Sequence, residues 1–92
     1  MSDSMFSGGY SVVIESLVAM REEAGLTQRQ LAEKMEREQS FIGRIETRQR
    51  RIDLVEFCWW ARCCDFDGEE ELAEVTKQIL KAIPKRPRRA SK

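Results

Sequence analysis

Residues 28–47, QRQLAEKMEREQSFIGRIET, decide how this 92-residue chain is read. Thr27 precedes the stretch, and Thr27 with Gln30 forms the S/T-x-x-E/Q pattern in which a hydroxyl accepts one orphan N–H at a helix start while the later side chain reaches back to another. Leu31, Ala32 and Met35 follow at helical spacing, so a helix starts here and ends around Glu36. A second helix is predicted from near Gln39, capped by Glu38, with Phe41, Ile42 and Ile45 turned inward. Two helices joined by about three residues have no room to lie antiparallel and must cross steeply. Ala32 is small where the crossing needs a close approach, and Leu31 and Met35 face Ile42 and Ile45.

Working outward, Ile14, Leu17, Val18 and Arg21 mark one face of a helix from about Ser11 to Glu23, closed by Ala24–Gly25. Residues 1–10, polar and containing Ser-Gly-Gly, read as a flexible lead-in. After a charged loop, Arg48–Arg51, the pair Asp53/Glu56 repeats the capping pattern and opens LVEFCWWARCC, apolar enough to be expected as the most buried helix. Asp67-Gly-Glu-Glu opens a fifth helix, its acids at the end favoured by the helix dipole, with an apolar stripe of Leu72, Val75, Ile79 and Ile83. Pro84 and Pro87 stop it, and residues 84–92 read as a basic disordered tail, leaving a folded unit over 11–83. No alternating strand pattern occurs. The expected fold is all-α, a compact bundle of about five short helices.

Composition narrows the function. The chain has no histidine, which removes the commonest general base and zinc ligand, and it is short for an enzyme. Three cysteines, Cys58, Cys63 and Cys64, lack C-x-x-C spacing and signal neither a disulfide framework nor a metal site. Packed thiols are one reading of them and a redox-sensing Cys63–Cys64 pair the other. No metal, no cofactor and no membrane partner are expected. With no apolar run near the ~20 residues of a membrane span and no secretory start, the expected compartment is the cytoplasm.

Sixteen basic and sixteen acidic side chains cancel, but not locally. Gln28–Arg51 carries seven bases against four acids, Ile52–Thr76 one base against eight acids, and Lys77 to the end seven bases and no acid. Local fields steer binding, so a balanced total does not exclude nucleic acid.

With 41, 42 and 45 inward, the outer face of the second helix of the pair reads Gln39, Ser40, Gly43, Arg44 and Thr47, without an acid. Such a face suits a major groove, where Gln pairs with adenine and Arg with guanine; an ordinary solvated polar face is the other reading. Residues 14–66 resemble the Cro/repressor-type (Xre-like, lambda-repressor-like) helix-turn-helix family. The residues that carry the likeness are Met20–Gln28 (MREEAGLTQ), Leu31-Ala32, Gln39–Ile42 (QSFI), Arg44-Ile45-Glu46 and Arg50–Asp53 (RRID).

The resemblance implies roles residue by residue. Gln39, Ser40, Gly43 and Arg44 fall at base-reading positions. Gln28, Arg29, Thr47, Arg48, Arg50 and Arg51 fall along the phosphates, Gln28 at a helix start with intrinsic anion affinity. Arg21 and Glu46 match an ion pair tying the first helix to the third. Two departures stand out: the family's turn has Gly then an apolar residue where this chain has Glu36 and Arg37, and a frequent loop Gly is replaced by Arg48.

Adjacent Trp59 and Trp60 point ~100° apart on a helix, and the stripe Leu54, Phe57, Ala61, Cys64 puts Trp60 inward and Trp59 outward. Trp59, Phe66, Leu72, Val75 and Ile79 then make a candidate dimer patch, the other reading being that they pack within one chain. The resemblance implies a DNA-binding regulator with double-stranded DNA as partner: a repressor, without enzymatic activity, acting as a homodimer on a near-palindromic operator. The alternatives are an antitoxin that also binds a toxin partner, docked through the acidic 65–74 stretch, and an adaptor that has lost DNA binding. The tail from Lys85 is compatible with either phosphate contact or simple solubilisation.

Overall fold

The computed structural model describes residues 4–85. It contains α1 (Ser4–Glu23), α2 (Gln28–Met35), α3 (Gln39–Glu46), α4 (Leu54–Cys63) and α5 (Gly68–Ala82), with no strand among the described residues. The fold is the all-α bundle that the pattern predicts.

Local hydrogen bonds set most of the helix starts. Thr27 Oγ1 accepts the Gln30 N–H at 3.0 Å and Gln30 Oε1 accepts the Thr27 N–H at 2.9 Å. Asp53 and Glu56 repeat this at 2.7 and 3.0 Å, and Asp67 accepts the N–H groups of Glu69 and Glu70. Glu38 is the exception. It takes the extended cap backbone but makes no side-chain cap bond, correcting the expectation. Short side chains are the favoured caps, and glutamate carries one methylene more than aspartate.

The ends of α1 to α4 share one device. Gly25, Glu36, Arg48 and Asp65 adopt left-handed backbone with φ of 74°, 59°, 68° and 66°. The next residue's N–H then bonds back to the last turn: Leu26 to Arg21, Arg37 to Ala32, Gln49 to Arg44, Phe66 to Ala61. Three of the four are not glycine, so the turn between α2 and α3 keeps its place at Glu36 and carries backbone strain of ~1 kcal/mol there.

Leu17, Leu31, Ile42, Ile45, Trp60 and Ala61 are fully buried and join α1, α2, α3 and α4 in one core. The Trp60 indole N–H donates to the Leu17 carbonyl at 3.0 Å, tying α4 to α1.

Three further expectations are revised. Helix α1 begins at Ser4, ahead of the start expected near Ser11. Gly8 and Gly9 serve close packing instead: a Cβ on Gly9 would lie 2.8 Å from Ile83 Cγ2, and one on Gly8 3.4 Å from the Ala82 carbonyl oxygen. Helix α4 is not the most buried, since Leu54 is 64 % exposed, Val55 77 % and Trp59 42 %. A thin bundle covers only the Phe57–Trp60–Ala61–Cys64 side, so Leu54 drops out of the inward stripe. The α5 stripe faces its own chain: Val75 is in the core, and Leu72 and Ile79 pack against it. Of the tail expected over 84–92, residues 86–92 lie outside the described residues.

Candidate nucleic-acid interface

Helix α3 is held from behind by Phe41, Ile42 and Ile45, which leaves Gln39, Ser40 and Arg44 exposed and Gly43 half-buried on its outer side. These side chains share one face because the inward residues recur at helical spacing. Gly43 sits where the Gln28 side chain crosses from α2; a Cβ there would stand 3.6 Å from Gln28 Oε1. Thr47 is exposed, but its hydroxyl donates back to the Gly43 carbonyl at 2.9 Å.

Behind this face lies a polar knot. Arg21 Nε donates to Glu46 Oε2 at 2.7 Å and Nη2 to Glu46 Oε1 at 3.0 Å, while Nη1 bonds the Leu26 carbonyl at 2.9 Å. The side chains of Arg21 and Glu46 are 13 % and 8 % exposed. Their hydrogen bond holds the guanidinium firmly protonated, its pKa raised against the opposing effect of burial. Gln28 Nε2 adds a third donor to Glu46 at 2.9 Å. The Gln28 side chain is therefore committed inward, and the anion affinity expected of this position falls to the N–H groups at the start of α2.

The expected phosphate-facing arginines divide into two groups. Arg29 is exposed and makes no ion pair among the described residues. Arg48 is exposed and bonds the Ser11 hydroxyl at 2.9 Å, and Arg51 lies 4.5 Å over the Tyr10 ring. Arg50 is engaged instead. Both its Nη atoms reach Glu56 at 3.0 Å, and Nη1 also bonds the Arg51 carbonyl. That hydrogen bond pulls the Glu56 pKa below the ordinary carboxylate value.

Sequence reasoning missed Arg37. Its guanidinium lies 4.2 Å over the Phe41 ring, with Arg50 over the same ring at 4.8 Å, and Arg37 Nη2 is 3.5 Å from Glu56. In the sequence Glu56 shows only as a helix cap. The available signal was an acid six residues beyond Arg50, at a capped helix start.

The thiols do not join the site. Burial pushes Cys64 up to about 11 and Cys63 upward as well, which favours the packed, protonated reading over a reactive pair.

A family model described as a helix-turn-helix domain matches residues 15–75. Among solved structures, an XRE-family like protein from Pseudomonas syringae pv. tomato str. DC3000 is 29 % identical with a TM-score of 0.76, covering 83 % of this chain and 93 % of its own. The chain belongs to the Xre-like helix-turn-helix family. In helix-turn-helix terms, α2 and α3 are the two helices of the motif, and membership places the chain among DNA-binding regulators. No curated protein matches the chain. No described helix is long and apolar enough to cross a membrane.

Proposed function

We propose that this Xre-like protein is a sequence-specific transcriptional repressor that acts without a cofactor or enzymatic step, in the cytoplasm, by occupying its operator. The observation that carries this reading is the acid-free outer face of α3, Gln39, Ser40, Gly43 and Arg44, presented by a helix whose other side is locked into the core. Arg44 is the base-reading cation; Gln39 and Ser40 supply donors and acceptors; Gly43 lets the backbone approach. Arg29, Thr47, Arg48, Arg51 and the N-terminal amides of α2 track the phosphates on either side.

A homodimer would set two such helices about 34 Å apart on one side of the duplex, which makes the operator a near-palindrome. The surface that supports self-association is the outer side of α4. Leu54, Val55 and Trp59 are exposed there, and a depression of about 440 Å³ between α4 and the start of α5 is lined by Cys58, Phe66 and Leu72 together with Arg62, Asp67 and Glu69. Val75, buried in its own chain, is withdrawn from that surface, and Ile79 packs against the same core.

Selection of bound sites from random duplex DNA tests the whole reading, a two-fold consensus being the expected result. Arg44→Ala should then relax preference at one base pair by ~1–3 kcal/mol, whereas Arg29→Ala should weaken every duplex about equally. No enrichment, or equal losses for both variants on operator and random DNA, would refute it. An antitoxin that also represses its own operon is the second reading. The crowded acidic start of α5, where burial and the neighbouring Glu23 raise the Glu71 pKa, favours it as a docking surface.

A further inference from the structure

One carboxylate off the groove-reading face holds two arginines that border it. Glu56, on the first turn of α4 and only 15 % exposed, takes both Nη groups of Arg50 at 3.0 Å and lies 3.5 Å from Arg37. The two guanidiniums rest on the Phe41 ring, so their planes are already set. Glu36, Arg37, Glu38, Arg44 and Arg50 line a depression of about 560 Å³ together with Ser40 and Phe41. Here acids offset the arginines of a surface argued to meet DNA.

A carboxylate facing an arginine fork presents the same planar pair of acceptor oxygens as a phosphodiester. Arg50 has its end-on fork, both Nη atoms, committed to that carboxylate, so a phosphate approaching that edge must displace Glu56. We infer that Glu56 is a built-in phosphate mimic: it occupies the Arg37–Arg50 clamp in the free protein and yields it only to a DNA phosphate presented in register. This rests on the DNA-binding reading above and adds a selectivity device to it. On random duplex the exchange is not driven, and two charges beside the recognition helix stay masked. On a matched site the groove contacts of α3 hold a phosphate against the clamp, and the stacked guanidiniums accept it without further ordering. Selectivity then comes from penalising the wrong partner.

The test is a salt series of duplex binding by fluorescence anisotropy, with the full chain, on the selected operator and on a random duplex of equal length. Glu56→Gln removes the charge but keeps an acceptor for the Asp53 N–H, so the α4 start survives. We expect its random-duplex affinity to rise at least about threefold and its salt slope to steepen by about one to two, one per arginine released, with a smaller change on the operator. Glu56→Asp keeps the charge but draws the carboxylate back by one methylene, and it should behave as Glu56→Gln does. An unchanged slope in Glu56→Gln overturns the inference. So does a wild-type slope in Glu56→Asp beside a steepened one in Glu56→Gln, since that pattern reports net charge and not an occupied fork. If the wild-type chain binds no duplex, the DNA reading falls and this inference with it; if it binds with a salt slope that both variants share, the inference alone falls.

Discussion

Glu46→Ala is the perturbation whose cost follows most directly from the structure. Glu46 is the last residue of α3 and accepts three side-chain hydrogen bonds, two from Arg21 and one from Gln28. Truncation leaves the Arg21 guanidinium, 13 % exposed, with only the Leu26 carbonyl and strands the Gln28 amide. Breaking one partner of a buried ion pair costs ~3–5 kcal/mol because the other charge stays desolvated. Residual water access to Arg21 puts this pair at the lower end, about 3 kcal/mol. For a domain this size, 1 kcal/mol moves Tm by ~4–8 °C, so Tm should fall by about 12–24 °C. Thermal and urea melts followed by far-ultraviolet circular dichroism read this directly. The double variant Arg21→Met/Glu46→Leu should recover most of the loss, since paired apolar replacement removes both desolvated charges. A Glu46→Ala cost below about 1 kcal/mol would refute the reasoning, for it is the value of an exposed pair. A double variant no better than the single would show that the knot's worth lies elsewhere than in charge pairing.

Other expectations follow from single contacts. Gly9→Leu places a side chain where even a Cβ would lie 2.8 Å from Ile83 Cγ2, so it should cost ~1–3 kcal/mol in a urea melt by prising α1 from α5. Glu36→Gly relieves the left-handed strain at φ 59° and should stabilise by up to ~1 kcal/mol, read as a rise in the urea midpoint. Acid should weaken the fold through Glu56: its folded pKa lies below the ordinary value of 4.5, so its contribution is full above that value and is lost as pH falls through the lowered one. Glu71, raised by burial and then by Glu23, acts in the opposite sense, since its penalty at neutral pH fades on protonation. A Tm series down to about pH 3 should therefore fall more steeply for wild type than for Glu56→Gln, and Glu71→Gln should raise Tm near neutrality.

Helix order, the capped starts of α2, α4 and α5, and the inward face of α3 were all legible in the chain. Each depends on groups within four residues of one another. A Thr27 hydroxyl finds the Gln30 N–H, and Phe41, Ile42 and Ile45 share a side, whatever the rest of the molecule does. The family likeness was legible for the same reason, being an ordered series of such local blocks.

The features settled by tertiary contact are those in which the deciding partner is distant in sequence. Gly8 and Gly9 looked like a loose lead-in until α5 was seen lying against them. The α5 stripe looked available to a second copy until Val75 was found in the chain's own core. Gln28 looked free for phosphate, yet Glu46 holds it from eighteen residues away. Local pattern gives a side chain's type and facing. Which of its charges remains unspent depends on which opposite charge the fold brings within hydrogen-bond reach, and spacing along the chain does not encode that distance.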